Sequence, residues 1–506
     1  MLQILQLLFL FLVFTVLTYV LQKYRYGKFI SILVLLASSY ESYVSIQYSK
    51  TAALVSIIGY ITIFCAVRLE LNIPNDKDNE RFGVREMFLA NKESRILIIL
   101  GCILIAYGIL LRDSSFYLAT LFAFILTIYE LFRYCNKTEE RLYNIPSLIF
   151  GYFKLMLPVI MIFVFLFACD NILYYGDEEW TEFLTYNNAR MQLLDYRYDL
   201  LDYSKYGEEL NAMGVSENDT FMYLTWQFGD DTVLNVSEMS DLLKRGERRK
   251  INLEFIKGFV KHIYDDMMIL NPLIIGSFFI VVGGLFFSIA KKHKVISATI
   301  GVLMAVSFAI LIYFQFSGRW SHRVVYAELL LLFISVMFVI GETVDVADLK
   351  GGTVFTSFMV LSTVAVLLGN RFDYNDYCRQ HGNNYDEFFE MINEHKDKLY
   401  VADTFTFQDA YKYDVFKTYE EGYMDNFVTV GSWFVNSPIT RRITENYGYA
   451  NPFRALVSCN NDVILVDNMY PIEKMKYLTT HYSDVYEFKP TSRKTEFDTY
   501  KVVRKK

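Results

Sequence analysis

RWSHRVVYAELLLLFISVMFVI, residues 319 to 340, places two arginines, a histidine and a tryptophan directly before a long apolar run. The run is long enough to cross a hydrocarbon core of roughly 30 Å as a helix. Glu328 is the one charged residue inside it. A charge in the bilayer costs about 3 kcal/mol, so the stretch predicts a membrane helix whose polar residues have a reason to be there.

Similar apolar stretches recur along the chain, which has 506 residues and is 53% hydrophobic. We therefore expect a polytopic α-helical membrane protein of about ten spans. The first stretch has no basic residue before it and no small-residue cleavage site after it, which predicts a retained span. The spans are expected at about 3–22, 29–48, 51–67, 96–112, 115–132, 146–168, 270–290, 294–316, 324–341 and 352–369.

The distribution of lysine and arginine predicts the orientation of these spans. With the N-terminus outside, the short inner loops hold sixteen basic residues and the short outer loops hold four. Basic residues are retained on the cytoplasmic side, so both large polar segments are expected to be exoplasmic, in a plasma membrane. The four outer residues are Lys50, Arg112, Arg319 and Arg323.

The first large polar segment, 169–269, separates predicted spans 1–6 (1–168) from spans 7–10 (270–369). Leucines among tyrosines predict short amphipathic helices, and GVSEND at 214–219 predicts a turn and a helix cap. The basic run KRGERRK at 244–250 is either a solvated helix end or a contact with lipid or polymer phosphates.

The second polar segment, 370–506, is predicted to be a small exoplasmic α/β domain. Strands are expected in KLYVADTF, DNFVTVGSWF, NDVILVDN and DTYKVVRK, with helices near YDEFFEMINEHK and PIEKMKYLTTHYS. No phosphate-cradling glycine loop precedes these helices, and the net charge of −7 argues against nucleic acid as a partner.

Charged residues from three spans fall at one predicted membrane level. Glu41 lies in the outer half of span two, Arg112 ends span four, and Arg319, Arg323 and Glu328 lie at the start of span nine. Arginine forks suit phosphate, so we interpret Arg112, Arg319, Arg323 and Glu328 as a site for a lipid phosphate or another anion. Snorkelling side chains and internal ion pairs are the alternative.

Cys378 and Cys459 are the cysteines well inside an exoplasmic segment, and we expect them to form a disulfide there. A metal site built from Cys378, His381 and His395 is disfavoured, because the chain has six histidines and no paired-ligand spacing. No motif indicates a cofactor, and a divalent cation is left open.

Residues 186–228 resemble a loop of a group of uncharacterised multi-spanning bacterial membrane proteins. The resemblance rests on an asparagine-alanine-arginine element, an aspartate-tyrosine pair and a glycine-x-serine-x-asparagine-aspartate turn. These motifs correspond here to Asn188, Ala189 and Arg190, to Asp195 and Tyr196, and to Gly214, Ser216, Asn218 and Asp219. The match covers under a tenth of the chain and implies no reaction.

Many spans followed by an exoplasmic α/β domain also resemble the GT-C glycosyltransferases, which use polyprenyl-phosphate sugars and act on a glycan acceptor. Such enzymes normally carry a catalytic acid in the first exoplasmic loop. Here YRYGK follows span one and is predicted cytoplasmic. The resemblance therefore implies that the acid would come from Asp177, Glu178 or Glu179 after span six, or from Glu41.

Three functions fit these features. The first is a GT-C-like cell-envelope glycosyltransferase, in which outer arginines hold the donor phosphate and a carboxylate activates the acceptor hydroxyl. The second is a polymerase or ligase of lipid-linked glycans. The third is a non-enzymatic transporter or scaffold that binds envelope glycans, although no internal repeat of the kind found in transporters is evident.

Overall fold

The computed structural model describes residues 2–21, 48–71, 92–137, 145–230, 232–246, 249–268, 272–340, 386–407, 420–482, 484–491 and 497–505. The chain divides into two units. The first contains residues 1–169, 251–316 and 320–376, and the second contains residues 170–250, 317–319 and 377–506. Predicted spans 29–48 and 352–369 lie almost entirely outside the described residues.

Helices make up the first unit, and most of them are long and apolar. They are α1 (Leu2–Leu21), α2 (Tyr48–Leu71), α3 (Lys92–Leu111), α4 (Asp113–Lys137) and α5 (Ile145–Tyr175, whose last residues belong to the second unit). Four α-helices of the second unit follow in the chain, and the first unit then continues with α10 (Leu253–Met268), α11 (Pro272–Ala290), α12 (Lys294–Ser317) and α13 (His322–Ile340).

Six described helical stretches are long and apolar enough to cross a membrane. They are Tyr48–Leu69, Lys92–Leu111, Asp113–Arg133, Met156–Tyr175, Lys294–Ser317 and His322–Ile340. Two shorter apolar stretches, Gln6–Val16 and Phe279–Ala290, accompany them. The membrane class expected from composition fits these helices.

Glycine lets α2 and α3 approach closely. A Cβ added to Gly59 would lie 2.7 Å from Cγ1 of Ile105 and 2.8 Å from the carbonyl oxygen of Gly101. In lipid the hydrophobic effect does not drive helices together, so close packing at small residues stabilises such crossings instead. A buried ion pair adds to the packing, because Arg68 Nε of α2 donates to Oε2 of Glu130 of α4 at 2.9 Å.

The second unit contains helices and one five-stranded sheet. Its helical part comprises α6 (Glu178–Met191), a π-helix (Gln192–Tyr196), a 3₁₀ turn (Tyr198–Leu201), α7 (Tyr203–Ala212), α8 (Glu217–Leu224) and α9 (Val236–Arg245). The remainder comprises α14 (Asp386–Glu394), β1 (Leu399–Ala402), β2 (Phe427–Thr429), α15 (Pro438–Asn446), α16 (Pro452–Val457), β3 (Val463–Val466), α17 (Pro471–His481), β4 (Tyr486–Pro490) and β5 (Thr499–Arg504).

The strand order is β2-β1-β3-β5-β4. Strands β2, β1 and β3 are parallel, and β5 and β4 pair antiparallel at the other edge. The four predicted strands and the two predicted helices of this segment are therefore present. Strand β4 was not predicted, because its sequence YEFKP lacks the apolar run that marks the central strands.

One core joins both polar segments of the chain. Leu193 and Met222 of the earlier segment pack in the same cluster as Val401, Val428 and Leu465 of the sheet. The predicted cap at 214–219 is confirmed, since Ser216 and Asp219 form a capping box at the start of α8. Residues 170–250 and the C-terminal segment thus form one compact body.

A buried lysine forms ion pairs with two aspartates at the carboxyl ends of β1 and β3. Lys474 Nζ lies 2.6 Å from Oδ2 of Asp403 and 2.7 Å from Oδ2 of Asp467, and all three side chains are fully buried. The other oxygen of each aspartate accepts backbone N–H groups of the following turn. With every carboxylate oxygen bonded, this group serves the structure of the sheet edge.

Candidate functional site

Arg319 lies in a cluster of arginines within the second unit. Its Nη1 donates to the hydroxyl of Tyr196, and its guanidinium carbon lies 4.9 Å from the centre of that ring. Arg197, which follows Tyr196 in the chain, and Arg249 both form ion pairs with the carboxylate of Asp199. We call Arg197, Arg249 and Arg319 the arginine cluster.

Gly318 brings the backbone beside Arg319 against Arg249. A Cβ added to Gly318 would overlap the guanidinium of Arg249, so only a glycine leaves room for it. Gly318 also has φ of +80°, a backbone conformation that glycine adopts without strain. The short link between α12 and α13 therefore has a defined shape, and that shape places Arg319 next to Arg249.

Asp199 anchors two members of the cluster. Arg249 Nη2 donates to its Oδ1 at 2.7 Å, and Arg197 Nη2 donates to its Oδ2 at 3.2 Å. Burial acts to raise the pKa of the Asp199 carboxyl, but the hydrogen bonds and charges of the two arginines outweigh it and hold the pKa below its ordinary value. Asp199 is thus an ionised anchor.

The partner of Arg319 differs in kind. Within the described part of the chain, Arg319 donates to the neutral hydroxyl of Tyr196 and forms no ion pair with a carboxylate. A guanidinium beside two others, with a neutral partner, suits an anion with several acceptor oxygens, such as a phosphate.

The predicted loop acids lie at the start of α6. Asp177 caps that helix by accepting the N–H of Trp180 at 3.1 Å. Glu178 and Glu179 are exposed in the first turn, and Glu179 lies 3.9 Å from Arg442. The hydrogen bonds of the arginine cluster described above involve Tyr196 and Asp199, and Glu41 lies outside the described residues. Their catalytic role stays a prediction.

Arg112 lies in the first unit, between α3 and α4. Its Nε donates to Oγ of Ser114 at 2.8 Å, its Nη1 donates to Oγ of Ser49, and its guanidinium faces the ring of Tyr48. Arg323 is half-buried in the first turn of α13. Because Arg319 belongs to the other unit, a single cavity lined by all three predicted arginines stays a prediction.

Glu328 is fully buried in α13, as its place inside the apolar run predicted. Neither carboxylate oxygen meets hydrogen-bond geometry with any residue that the structure describes. The neighbouring polar side chain is Ser307 of α12. Buried carboxylates are normally paired, so Glu328 is an exception that calls for a function.

The predicted disulfide involves one described residue. Cys459 is half-buried, and burial raises the pKa of its thiol. Its expected partner Cys378 lies outside the described residues, so the pairing stays a prediction. No group of three metal-ligating side chains occurs among the residues with described positions. His381 also falls outside them.

Sequence reasoning missed Tyr196 as the partner of Arg319, and it missed Asp199 as the partner of Arg197 and Arg249. A signal was present in the alternation of YRYD at 196–199, where aromatic, basic and acidic residues follow one another. Arg249 belongs to the basic run that had been interpreted as a possible phosphate contact.

No family model, curated protein or solved structure matches this chain.

Proposed function

We propose that this chain is a cell-envelope glycosyltransferase of GT-C-like type that uses a polyprenyl-phosphate-linked sugar at the outer leaflet of the plasma membrane. The observation that supports it best is Arg319, whose partner is a neutral hydroxyl and whose neighbours are Arg197 and Arg249. Arg319 lies in the short link between α12 and α13, two residues beyond the end of one apolar helix. A phosphate at the membrane surface would be within its reach.

The proposed topology has ten spans with the N-terminus outside. Residues 169–269 and 370–506 are then exoplasmic, which places the second unit on the side where lipid-linked sugars are used. The support is the excess of basic residues in the predicted inner loops. Single cysteines at Ser204 and Asn383, in a cysteine-free background, should react with an impermeant reagent, and one at Asn79 should not.

The proposed reaction is attack of an acceptor hydroxyl on the anomeric carbon of the donor sugar. The new glycosidic bond forms as the bond from that carbon to the phosphate oxygen breaks, and the polyprenyl phosphate leaves with the electron pair. The arginine cluster stabilises the charge on the leaving phosphate. The hydroxyl proton passes to a carboxylate, for which Asp177, Glu178 and Glu179 are the candidates.

The test uses the full chain in nanodiscs with polyprenyl-phosphate hexose and a panel of glycan acceptors. We expect transfer of the hexose, and we expect Arg319→Gln to lower it at least tenfold, since a charge-assisted hydrogen bond contributes roughly 1.5–3 kcal/mol. Arg245→Gln is the matched control, because this arginine is exposed and lies close to Arg249 in the same basic run.

Two other functions would use the same arginines. A polymerase or ligase would transfer a preassembled lipid-linked glycan rather than one sugar. A transporter or scaffold would bind polyprenyl phosphate and transfer nothing. Binding that depends on Arg319 with no transfer from any donor would favour the non-enzymatic function, and no binding at all would remove the basis for all three.

A further inference from the structure

A second arginine of the same unit lies far from solvent. Arg190 of α6 is 1% exposed, and its Nε donates to Oδ1 of Asn187 at 3.1 Å. Its Nη2 bonds the same oxygen. The Nη1 group is buried and bonds no residue that the structure describes. A buried guanidinium with an unused donor is costly. Burial lowers the pKa of Arg190, and the negative charge of Asp195 offsets this only in part.

Aromatic rings enclose this guanidinium. Its central carbon lies 4.8 Å from the ring centres of Phe228 and Trp433 and 5.5 Å from that of Trp226. The two indoles meet edge to face, with centres 5.0 Å apart. Phe228 is buried, but both tryptophans are only half-buried. The indoles therefore separate Arg190 from the solvent.

The group lies at the carboxyl ends of two parallel strands. The hydroxyl of Thr404, which follows β1, donates to the carbonyl oxygen of Trp226 at 3.1 Å. Gly431, just beyond β2, touches the same carbonyl so closely that any Cβ there would overlap it. Ligands of open α/β sheets bind beyond the carboxyl ends of their strands, and this group lies at that end of the sheet.

The backbone around the indoles is held in unusual conformations. Trp226, Ser432 and Asn436 have positive φ angles of 59°, 96° and 65°, which residues other than glycine rarely adopt. Such strain clusters at ligand sites, where the surrounding structure maintains it. Two more buried polar atoms in these segments, Oε1 of Gln227 and Nδ2 of Asn436, bond none of the described residues.

We propose that this site binds an acidic saccharide, meaning a pyranose that carries a carboxylate or a phosphate. The apolar face of the sugar would lie on Trp226 or Trp433, and its acidic group would pair with Arg190. A carboxylate or phosphate is the partner that a planar guanidinium binds most strongly. The unused donor of Asn436 and acceptor of Gln227 suit sugar hydroxyls, which donate and accept.

The proposal does not depend on the reaction proposed above, because a transferase, a ligase or a scaffold could each carry such a site. It also makes a statement about movement. Since Nη1 is covered, one half-buried indole must swing outward to admit the ligand. The chain has four tryptophans, so binding should change its intrinsic fluorescence.

The test titrates the full chain, in nanodiscs of zwitterionic lipid, with glucuronic acid, glucose 6-phosphate and glucose. We expect at least one acid to give a saturable heat by calorimetry and a parallel fluorescence change. Its Kd should be at least tenfold lower than that of glucose. The acid that binds more tightly identifies the acidic group. If neither acid saturates, or if glucose binds as tightly, the proposal is wrong.

Variants separate the site from the rest of the surface. Arg190→Gln should weaken binding of the acid at least tenfold and bring it level with glucose. Trp433→Leu, on a half-buried residue, should weaken both acid and sugar, and it serves if the Arg190 variant does not fold. Arg442→Gln is the control, because that arginine is 73% exposed. Folded Arg190 or Trp433 variants with unchanged Kd would overturn the proposal.

Discussion

Arg249 donates a hydrogen bond of 2.7 Å from Nη2 to Oδ1 of Asp199, a residue fifty positions earlier in the chain. The same carboxylate binds Arg197, and the guanidinium of Arg249 lies against Gly318. One carboxylate thus fixes two arginines. One of them, Arg249, lies beside Gly318, the residue that precedes Arg319. An anion that binds there, as proposed, would meet a cluster that is already organised, which lowers the cost of binding.

Asp199→Asn should remove stability that depends on pH. The pKa of Asp199 is depressed in the folded chain, so its contribution is present above the pKa of an unfolded aspartate, about 3.9. That contribution is lost as the pH falls through the folded value. The side chain is 36% exposed, so we expect about 1 kcal/mol or less. Chemical unfolding between pH 3 and pH 7 measures it, with the exposed Asp241→Asn as control.

Gly318→Ala should disturb the arginine cluster without changing its charge. The added methyl group overlaps the guanidinium of Arg249 and strains a backbone at positive φ, at a cost of about 1 kcal/mol or more. Binding of polyprenyl phosphate should then fall, and we expect the same loss in Arg249→Gln. Gly301→Ala is the control, since nothing lies within 4 Å of the added atom. If both glycine variants bind polyprenyl phosphate equally well, Arg249 does not take part in binding the anion.

Glu130 and Glu328 should respond in opposite ways to the same substitution. Both are buried in helices of the first unit, but Glu130 binds the charged Arg68, whereas the side chain beside Glu328 is the neutral Ser307. Glu130→Gln should cost about 3 kcal/mol, because it removes the negative charge that Arg68 binds in a buried ion pair. Glu328→Gln should leave Tm unchanged or raise it, while it lowers the rate of hexose transfer. A large loss of Tm in Glu328→Gln would indicate a structural role.

Lys474→Met should destabilise the second unit by about 3–5 kcal/mol. It removes the cation between Asp403 and Asp467 and leaves two buried carboxylates facing each other. Limited proteolysis and chemical unfolding of the full chain report the loss. Lys476→Met, two residues further on the exposed face of α17, should change the free energy of unfolding by less than about 0.5 kcal/mol. A stable Lys474 variant would show that the sheet edge does not need the charge of this lysine.

The sequence predicted the elements that depend on local pattern. The apolar runs gave the helices Tyr48–Leu71 and His322–Ile340, because a helix satisfies its own backbone inside a bilayer whatever its neighbours are. The strands Leu399–Ala402 and Val463–Val466 were equally legible, since a central strand is buried on both faces and therefore continuously apolar. The place of Glu328 inside an apolar helix was also predicted from that pattern.

Tertiary structure alone decided which distant residues meet. Nothing local relates Arg319 to Tyr196, which lies 123 residues earlier in the chain. The contact of Arg190 with Trp433 likewise depends on how the helices of residues 170–250 pack against the sheet. A cation can be seen in a sequence, but its partner cannot. Burial and the position of the opposite charge together determine whether that cation is paired, snorkelling or ready for a ligand, and both are properties of the folded chain.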